Sequence, residues 1–134
     1  MSSSRTVSAR SSSEAIVAVI EDDPAARRAL TRMLRAQGVR VASFASAEEF
    51  LHALTETGPA CLVIDVVLPG MSGADLLDRL RADGVHLPAI FVTGSIDATQ
   101  MLRRRGLGDV PCLHKPFEPG LLVQAVSRAL EGAS

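Results

Sequence analysis

The chain has 134 residues, of which 47% are hydrophobic and 22% are charged, and its formal net charge is −1 at pH 7. This length fits a single domain that buries about two thirds of its unfolded surface in one core. A nearly neutral chain has no overall basic field, which argues against direct nucleic-acid binding through bulk electrostatics.

The N-terminal segment differs in composition from the rest of the chain. Residues 1–14 are rich in Ser and lack hydrophobic periodicity, so we predict a disordered tail there. No apolar signal-peptide core follows this segment, and no run reaches the roughly 18 apolar residues of a membrane span. We therefore predict one domain over residues 15–134, located in the cytoplasm and without membrane contact.

Five apolar runs alternate with five amphipathic segments along this domain. Asp23 before Pro24 is suited to cap the first helix, and Ser46 with Glu49 has the spacing of a capping box at the second. In the last helix we predict that Leu121 faces inward. The predicted strands cover residues 15–20, 39–44, 60–65, 87–93 and 110–114, and the predicted helices cover about residues 24–37, 47–55, 73–83, 97–105 and 117–131. This alternation predicts an α/β fold with a doubly wound, five-stranded parallel sheet and five helices.

The third strand carries one carboxylate, Asp65, at the end of an otherwise apolar run. A strand buried on both faces tolerates a carboxylate only at its carboxyl end, which is the sheet edge where α/β proteins bind ligands. The alternative is that Asp65 merely begins the turn into Pro69 and Gly70, since Asp is a common turn residue. The ends of the other strands favour the functional interpretation.

Polar residues also follow the other strands. Parallel strands bring their carboxyl ends to one edge, so the acidic run 21–23, Asp65, Thr93 and Lys115 are predicted to converge. Several carboxylates at one edge raise each other's pKa values unless a cation lies among them, and hard oxygen ligands suit Mg²⁺. A metal, a Lys and a Thr hydroxyl around one point favour a site for a phosphoryl group.

The order and spacing of these residues resemble the receiver domain of two-component response regulators over residues 15–131. The resemblance rests on four motifs: the acidic pair at 21–22 with Arg27 beyond it, the stretch Ile64-Asp65-Val66-Val67-Leu68-Pro69-Gly70-Met71-Ser72-Gly73, Val92-Thr93-Gly94, and Lys115-Pro116-Phe117. It implies a flavodoxin-like fold with receiver-domain topology and a phosphoacceptor protein in place of an enzyme, with at most slow autophosphorylation and autodephosphorylation.

The resemblance also implies the roles of individual residues. Asp65 would accept a phosphoryl group from a histidine kinase or a phosphotransfer protein, while Lys115 and Thr93 would bind the phosphoryl oxygens. The Lys115–Pro116 peptide bond would be cis.

Mg²⁺ is the cofactor that this resemblance implies. Asp22 and Asp65 would bind the ion directly, Glu21 would act through water, and the backbone carbonyl of Val67 would be a further ligand. We interpret Asp23 as a helix cap and only an outer member of the acidic cluster.

Other polar and sulfur-containing residues have no predicted role in this chemistry. The run Arg103-Arg104-Arg105 is interpreted as a solvated helix end, and no chemistry is assigned to His52, His86 and His114. Cys61 and Cys112 are interpreted as small buried hydrophobic residues. Family members usually carry Tyr or Phe at the position of Cys112, so the resemblance does not extend to the usual coupling between the Thr and this aromatic residue.

The sequence fits other functions less well. A flavin or nucleotide site lacks its Gly-rich phosphate loop here, and a phosphatase of the haloacid dehalogenase type needs a second Asp where Val67 stands. A phosphorylation-independent interaction module on the same fold remains as the alternative. The chain ends shortly after the last helix, so we expect a stand-alone receiver domain that contacts a downstream protein partner, and a homodimer remains open.

Overall fold

A computed structural model of the chain describes residues 14–133, so the predicted tail lies, apart from residue 14, outside the described part. Of the helices in this part, none is long and apolar enough to cross a lipid bilayer. The strands are β1 (Ile16–Ile20), β2 (Arg40–Phe44), β3 (Cys61–Asp65), β4 (Ala89–Thr93) and β5 (Cys112–His114), and the helices are α1 (Pro24–Arg35), α2 (Ala47–Thr57), α3 (Gly73–Ala82), α4 (Ile96–Arg104) and α5 (Pro119–Ala133).

The strands form one parallel sheet in the order β2-β1-β3-β4-β5, which confirms the predicted fold class. The continuous apolar runs lie in β3 and β4, whose residues are all buried, because helices cover both faces of a doubly wound sheet. The edge strands β2 and β5 are partly exposed, and β2 accordingly reads as a weakly alternating sequence.

Two hydrophobic layers enclose this sheet. Alternate strand side chains point to opposite faces, so neighbouring residues such as Val63 and Ile64 enter different layers. Helices α1 and α5 cover one face, on which Leu34 and Leu122 are fully buried. Helices α2, α3 and α4 cover the other, on which Phe50 is fully buried.

The helix starts differ in part from the prediction. Asp23 is confirmed as the cap of α1, since its carboxylate accepts the N–H of Ala26 at 2.8 Å. Ser46 caps α2 through the N–H of Glu49, but the carboxylate of Glu49 accepts the N–H of Ala45, so the predicted reciprocal box is only half formed. A complete box, which the prediction missed, joins the residues at 72 and 75 at the start of α3.

The predicted inward position of Leu121 is wrong. Its residue surface is 48% exposed, whereas its neighbour Leu122 and then Val126 are buried at the i, i+4 spacing of a single stripe. Adjacent residues of a helix point about 100° apart, so a narrow contact with the sheet buries one of two consecutive leucines and leaves the other in solvent. The helix also begins at Pro119, two residues later than predicted.

Candidate functional site

The carboxyl edge of the sheet brings together charged side chains from three strand ends. The ammonium group of Lys115, which follows β5, donates to Oε1 of Glu21 at 2.7 Å and to Oδ2 of Asp65 at 3.0 Å. Glu21 follows β1 and is only 1% exposed, and Asp65 is the last residue of β3 and is buried. The predicted convergence of these three residues is confirmed as geometry.

Burial and pairing act together on the ionisation of this cluster. Desolvation is the largest influence on Glu21 and raises the pKa of its carboxyl, although the hydrogen bond from Lys115 acts in the opposite direction. Desolvation also opposes the charge of Lys115, but its bonds and charge interactions with Glu21 and Asp65 outweigh it and raise the pKa of the ammonium group. Lys115 therefore stays charged between two carboxylates.

Backbone groups of the following loop hold Asp65 in place. Oδ1 of Asp65 accepts the N–H of Val67 at 3.0 Å, while Oδ2 faces Lys115. The end of this loop lies close to its beginning, because the N–H of Gly73 donates to the carbonyl of Val66 at 3.0 Å. A Cβ atom on Gly73 would collide with the backbone carbonyl oxygen of Asp65, so this position requires glycine.

The acidic residues form a cluster that suits a hard cation. Ligand oxygens of Glu21, Asp22 and Asp65 all lie within 4.8 Å of one another, and this is the group of potential metal ligands found among residues 14–133. Two of the three carboxylates are buried, whereas Asp22 is exposed and leaves room for water, which fits an ion that keeps part of its hydration shell. The predicted role of the Val67 carbonyl stays a prediction.

The start of α1 fixes the register of this cluster. Asp23 is engaged as the helix cap, as predicted, and the group of potential metal ligands consists of Glu21, Asp22 and Asp65. Nη1 of Arg27 donates to the carbonyl of Glu21 at 2.8 Å and to that of Asp22 at 3.3 Å. The backbone of Glu21 and Asp22 is therefore held by a side chain from the first turn of α1.

Thr93 ends β4 beside the cluster. Its side chain is fully buried, its Oγ1 accepts the N–H of Ser95 at 3.0 Å, and its carbonyl accepts the N–H of Lys115 at 2.8 Å. The backbone of Thr93 is thus joined directly to that of Lys115, and the Lys115–Pro116 bond is cis, as the resemblance implied. The predicted role of the hydroxyl toward a phosphoryl group remains a prediction.

Arg105 lies at an exposed helix end, as predicted, but it forms ion pairs that the prediction did not include. Its Nη2 donates to Oδ1 of Asp75 at 2.9 Å and to Oδ2 of Asp78 at 2.6 Å, so it links the end of α4 to α3. Asp75 also closes the capping box with Ser72. The spacing of Ser72 and Asp75 could have predicted the capping box from the sequence, whereas no local pattern predicts the ion pairs with Arg105.

The position at which family members usually carry an aromatic residue also has contacts that the sequence did not predict. Cys112 is only half-buried, and burial raises the pKa of its thiol while a hydrogen bond with Thr99 acts in the opposite direction. Oγ1 of Thr99 lies 2.9 Å from Nε2 of His114, a residue to which no role was assigned. Cys61 matches the prediction, because it is fully buried and desolvation raises the pKa of its thiol to about 12.

Comparisons with known proteins agree with this geometry. A protein-family model described as "Response regulator receiver domain" matches residues 17–127. The chain is 42% identical over 120 residues to "Nodulation protein W" of Bradyrhizobium diazoefficiens, covering 90% of this chain and 53% of that protein. It is 38% identical over 114 residues to "Transcriptional regulatory protein FixJ" of Azorhizobium caulinodans, covering 85% and 54%. The chain therefore spans about half the length of these two relatives.

A solved structure resembles the chain over nearly its whole length. The crystal structure of a response regulator receiver protein from Burkholderia phymatum is 33% identical in sequence and superposes with a TM-score of 0.73, covering 87% of this chain and 95% of that one.

Proposed function

This chain belongs to the response regulator receiver domain family of two-component systems, and from that membership we propose that Asp65 is its phosphoacceptor. The phosphoryl donor would be a histidine kinase or a phosphotransfer protein. The observation that carries the proposal is the pairing of Asp65 with Lys115 at 3.0 Å at the open edge of the sheet, inside a cluster of three carboxylates.

The proposed reaction is a transfer of one phosphoryl group between two side chains. A carboxylate oxygen of Asp65 attacks phosphorus, an O–P bond forms, the N–P bond to the donor's imidazole breaks, and the freed imidazole nitrogen takes up a proton. The N–H of Val67 and the ammonium group of Lys115 fix the orientation of the attacking carboxylate. Lys115 can then bind an oxygen of the arriving group.

We propose Mg²⁺ as the cofactor of this transfer. Asp22 and Asp65 would bind the ion directly, Glu21 would act through water, and the carbonyl of Val67 would complete the ligand set. When bound, the ion neutralises charge that develops on the phosphoryl oxygens. Lys115 supplies one positive charge to a cluster of three carboxylates, so the protein alone leaves this edge negative, which favours binding of a divalent cation.

Thr93 is proposed to respond to the new group. Its hydroxyl is buried and accepts a hydrogen bond from the backbone of Ser95, which leaves its own proton available for a phosphoryl oxygen. Output would follow through contact with a partner protein. We further propose a cytoplasmic protein that performs no enzymatic reaction beyond slow transfer to and from its own Asp65.

Phosphorylation by a small-molecule donor tests this function without knowledge of the kinase. The protein is incubated with acetyl phosphate, with and without Mg²⁺, and its intact mass is measured. We expect the mass of one phosphoryl group to appear only with Mg²⁺ and to be absent from Asp65→Asn. Asp109→Asn is the matched control, because Asp109 is an exposed aspartate in another loop.

Two outcomes contradict the proposal. Phosphorylation of Asp65→Asn would move the acceptor to another residue. A wild-type protein that takes up no phosphoryl group, while its fold is intact, would favour the phosphorylation-independent interaction module.

A further inference from the structure

The β3–α3 loop, residues 66–72, carries the backbone that contacts Asp65. Within it, the N–H of Val67 donates to Oδ1 of Asp65 at 3.0 Å. The tip of the loop, residues 69–70, is exposed to solvent. An exposed tip has little packing to define its conformation, so a hydrogen bond to it has a large influence on how rigid the loop is.

Glu48 of α2 holds this tip from outside the loop. Its Oε2 accepts the N–H of Met71 at 3.0 Å, although 23 positions of the sequence separate the two residues. The neighbouring Gly70 has a φ of +75°, and a Cβ atom on it would lie 2.8 Å from the same oxygen. Over the described part of the chain, this is the one hydrogen bond that residues 67–71 receive from the side chain of a helix.

Stabilisation of α2 explains only part of the presence of Glu48. Glu48 and Glu49 both lie in the first turn of this helix, where the dipole favours negative charge. Glu49 serves the helix start, since its carboxylate accepts the N–H of Ala45. Glu48 instead reaches another element, and the hydrogen bond from Met71 is the main reason why the pKa of Glu48 lies below its ordinary value of 4.5. Its carboxylate is therefore ionised and able to accept at neutral pH.

The hydrogen bond to the tip adds to bonds that fix the two ends of the loop. The N–H of Val66 donates to the carbonyl of Val92, and the N–H of Gly73 donates to the carbonyl of Val66, both at 3.0 Å. Val67 lies between these ends and is 60% exposed, so its own side chain contributes little packing. A loop held at both ends and at its tip has few conformations, which keeps the N–H of Val67 directed at Asp65.

We propose that Glu48 is a positioning residue for the phosphorylation of Asp65. Glu48 fixes the β3–α3 loop through Met71, and the loop orients the attacking carboxylate through the N–H of Val67. Glu48 acts only through the loop. This inference rests on the proposed function of Asp65 as the phosphoacceptor.

Amide hydrogen exchange of the metal-free protein tests the hydrogen bond without any reaction. Glu48→Ala removes the acceptor, and we expect the amide of Met71 to exchange about tenfold faster. Glu48→Gln keeps an acceptor oxygen, so Met71 should exchange within about twofold of the wild-type rate. The matched control is Glu56→Ala, which removes an exposed glutamate from the last turn of the same helix and should leave this rate unchanged.

Rates of phosphorylation by acetyl phosphate at saturating Mg²⁺ test the positioning role. We expect Glu48→Ala to react about fivefold more slowly than the wild type, and Glu48→Gln to keep at least about half of the wild-type rate. Both variants lose the charge that the dipole of α2 favours, so a carboxylate that only stabilises the helix predicts the same rate for both. Urea unfolding of each variant shows that it is folded under the conditions of the assay.

Each contrary outcome has a different meaning. Unchanged exchange of Met71 in Glu48→Ala would show that the hydrogen bond does not hold the loop. Equal slowing by the Ala and Gln variants would assign the effect to charge instead of position. If the wild type is phosphorylated and Glu48→Ala reacts as fast, this inference alone is wrong. If the wild type takes up no phosphoryl group, the proposed function is wrong and the positioning role is lost with it.

Discussion

Two regions of the domain are packed with very different tightness. Around Asp65, the carboxylate oxygens have partners in Val67 and Lys115, and Gly73 leaves no room for one more carbon atom. On the α4–β5 face, which consists of α4 and β5, a cavity of about 270 Å³ lies beside the half-buried Cys112.

This difference separates the chemistry of the domain from its signalling. A reacting group must be held within a fraction of an ångström, so the residues around Asp65 are constrained by packing and hydrogen bonds. A signalling face needs an element with two arrangements, and a small residue such as Cys112 leaves that element loosely specified. The following variants test the contrast, beginning with the largest expected effect.

Gly73→Ala tests the closely packed region around Asp65. Its Cβ would meet the carbonyl oxygen of Asp65 and would lie 2.9 Å from Cγ2 of Ile64, so the loop must move. We expect the free energy of unfolding to fall by about 3 kcal/mol in urea titrations, since overpacking of rigid backbone is costly. Gly120→Ala is the control, because a Cβ atom at this position would have no neighbouring atom within 4 Å. This variant should raise the free energy of unfolding by about 0.5 kcal/mol. An unchanged midpoint for Gly73→Ala would contradict the close approach.

Asp22 and Asp23 are adjacent but have different roles. Asp23→Ala removes the cap of α1 and should lower the free energy of unfolding by about 1 kcal/mol, with Mg²⁺ affinity nearly unchanged. Asp22→Ala removes a proposed ligand and should weaken Mg²⁺ binding strongly while stability changes little. Calorimetric titration of Mg²⁺ and urea unfolding of both variants measure the two effects. Equal losses of affinity would contradict the assignment of the ligands.

Arg105→Gln cuts the bridge between α4 and α3. The partners Asp75 and Asp78 are about half exposed, so solvent screens the interaction and we expect a loss of only about 0.5 kcal/mol, smaller still in high salt. Arg104→Gln serves as the control, because it bonds only to Gln100 at 3.3 Å among the described residues. Equal effects of the two variants would show that the bridge adds no stability.

The same bridge predicts a dependence on pH. The hydrogen bond from Arg105 is the main reason why the pKa of Asp75 lies below its ordinary value of 3.8. A carboxyl whose pKa is lowered on folding stabilises the fold above its unfolded pKa, and this contribution is lost as the pH falls through the lowered value. The difference between wild type and Arg105→Gln should therefore be present at pH 7 and vanish in strong acid.

Cys112→Tyr is expected to alter signalling more than stability. In the phosphorylated wild type we expect large NMR shifts at Asp65, Thr93 and Gly94 and smaller ones over residues 103–113, because Cys112 is too small to follow a movement of Thr93. The Tyr variant should enlarge the shifts over 103–113, while Cys112→Ser should not. Wild-type shifts that are already as large there as at Asp65 would rule out a weakly coupled face.

Local sequence patterns were sufficient for the fold and for much of the site. Continuous apolar runs predicted buried parallel strands, and parallel strands necessarily deliver their last residues to one edge, so Glu21 and Lys115 were expected to meet although 94 positions separate them. The cap at Asp23 was equally predictable, because a cap depends on neighbours within one helical turn.

The features that only the tertiary structure decided depend on how the helices and strands pack against one another. The bridge from Arg105 to α3, the exposure of Leu121 and the collision that makes Gly73 obligatory each follow from the distance and rotation between two elements. Helical periodicity defines which residues share a face. It does not define how wide a contact that face makes, or which side chain of a neighbouring element lies opposite it.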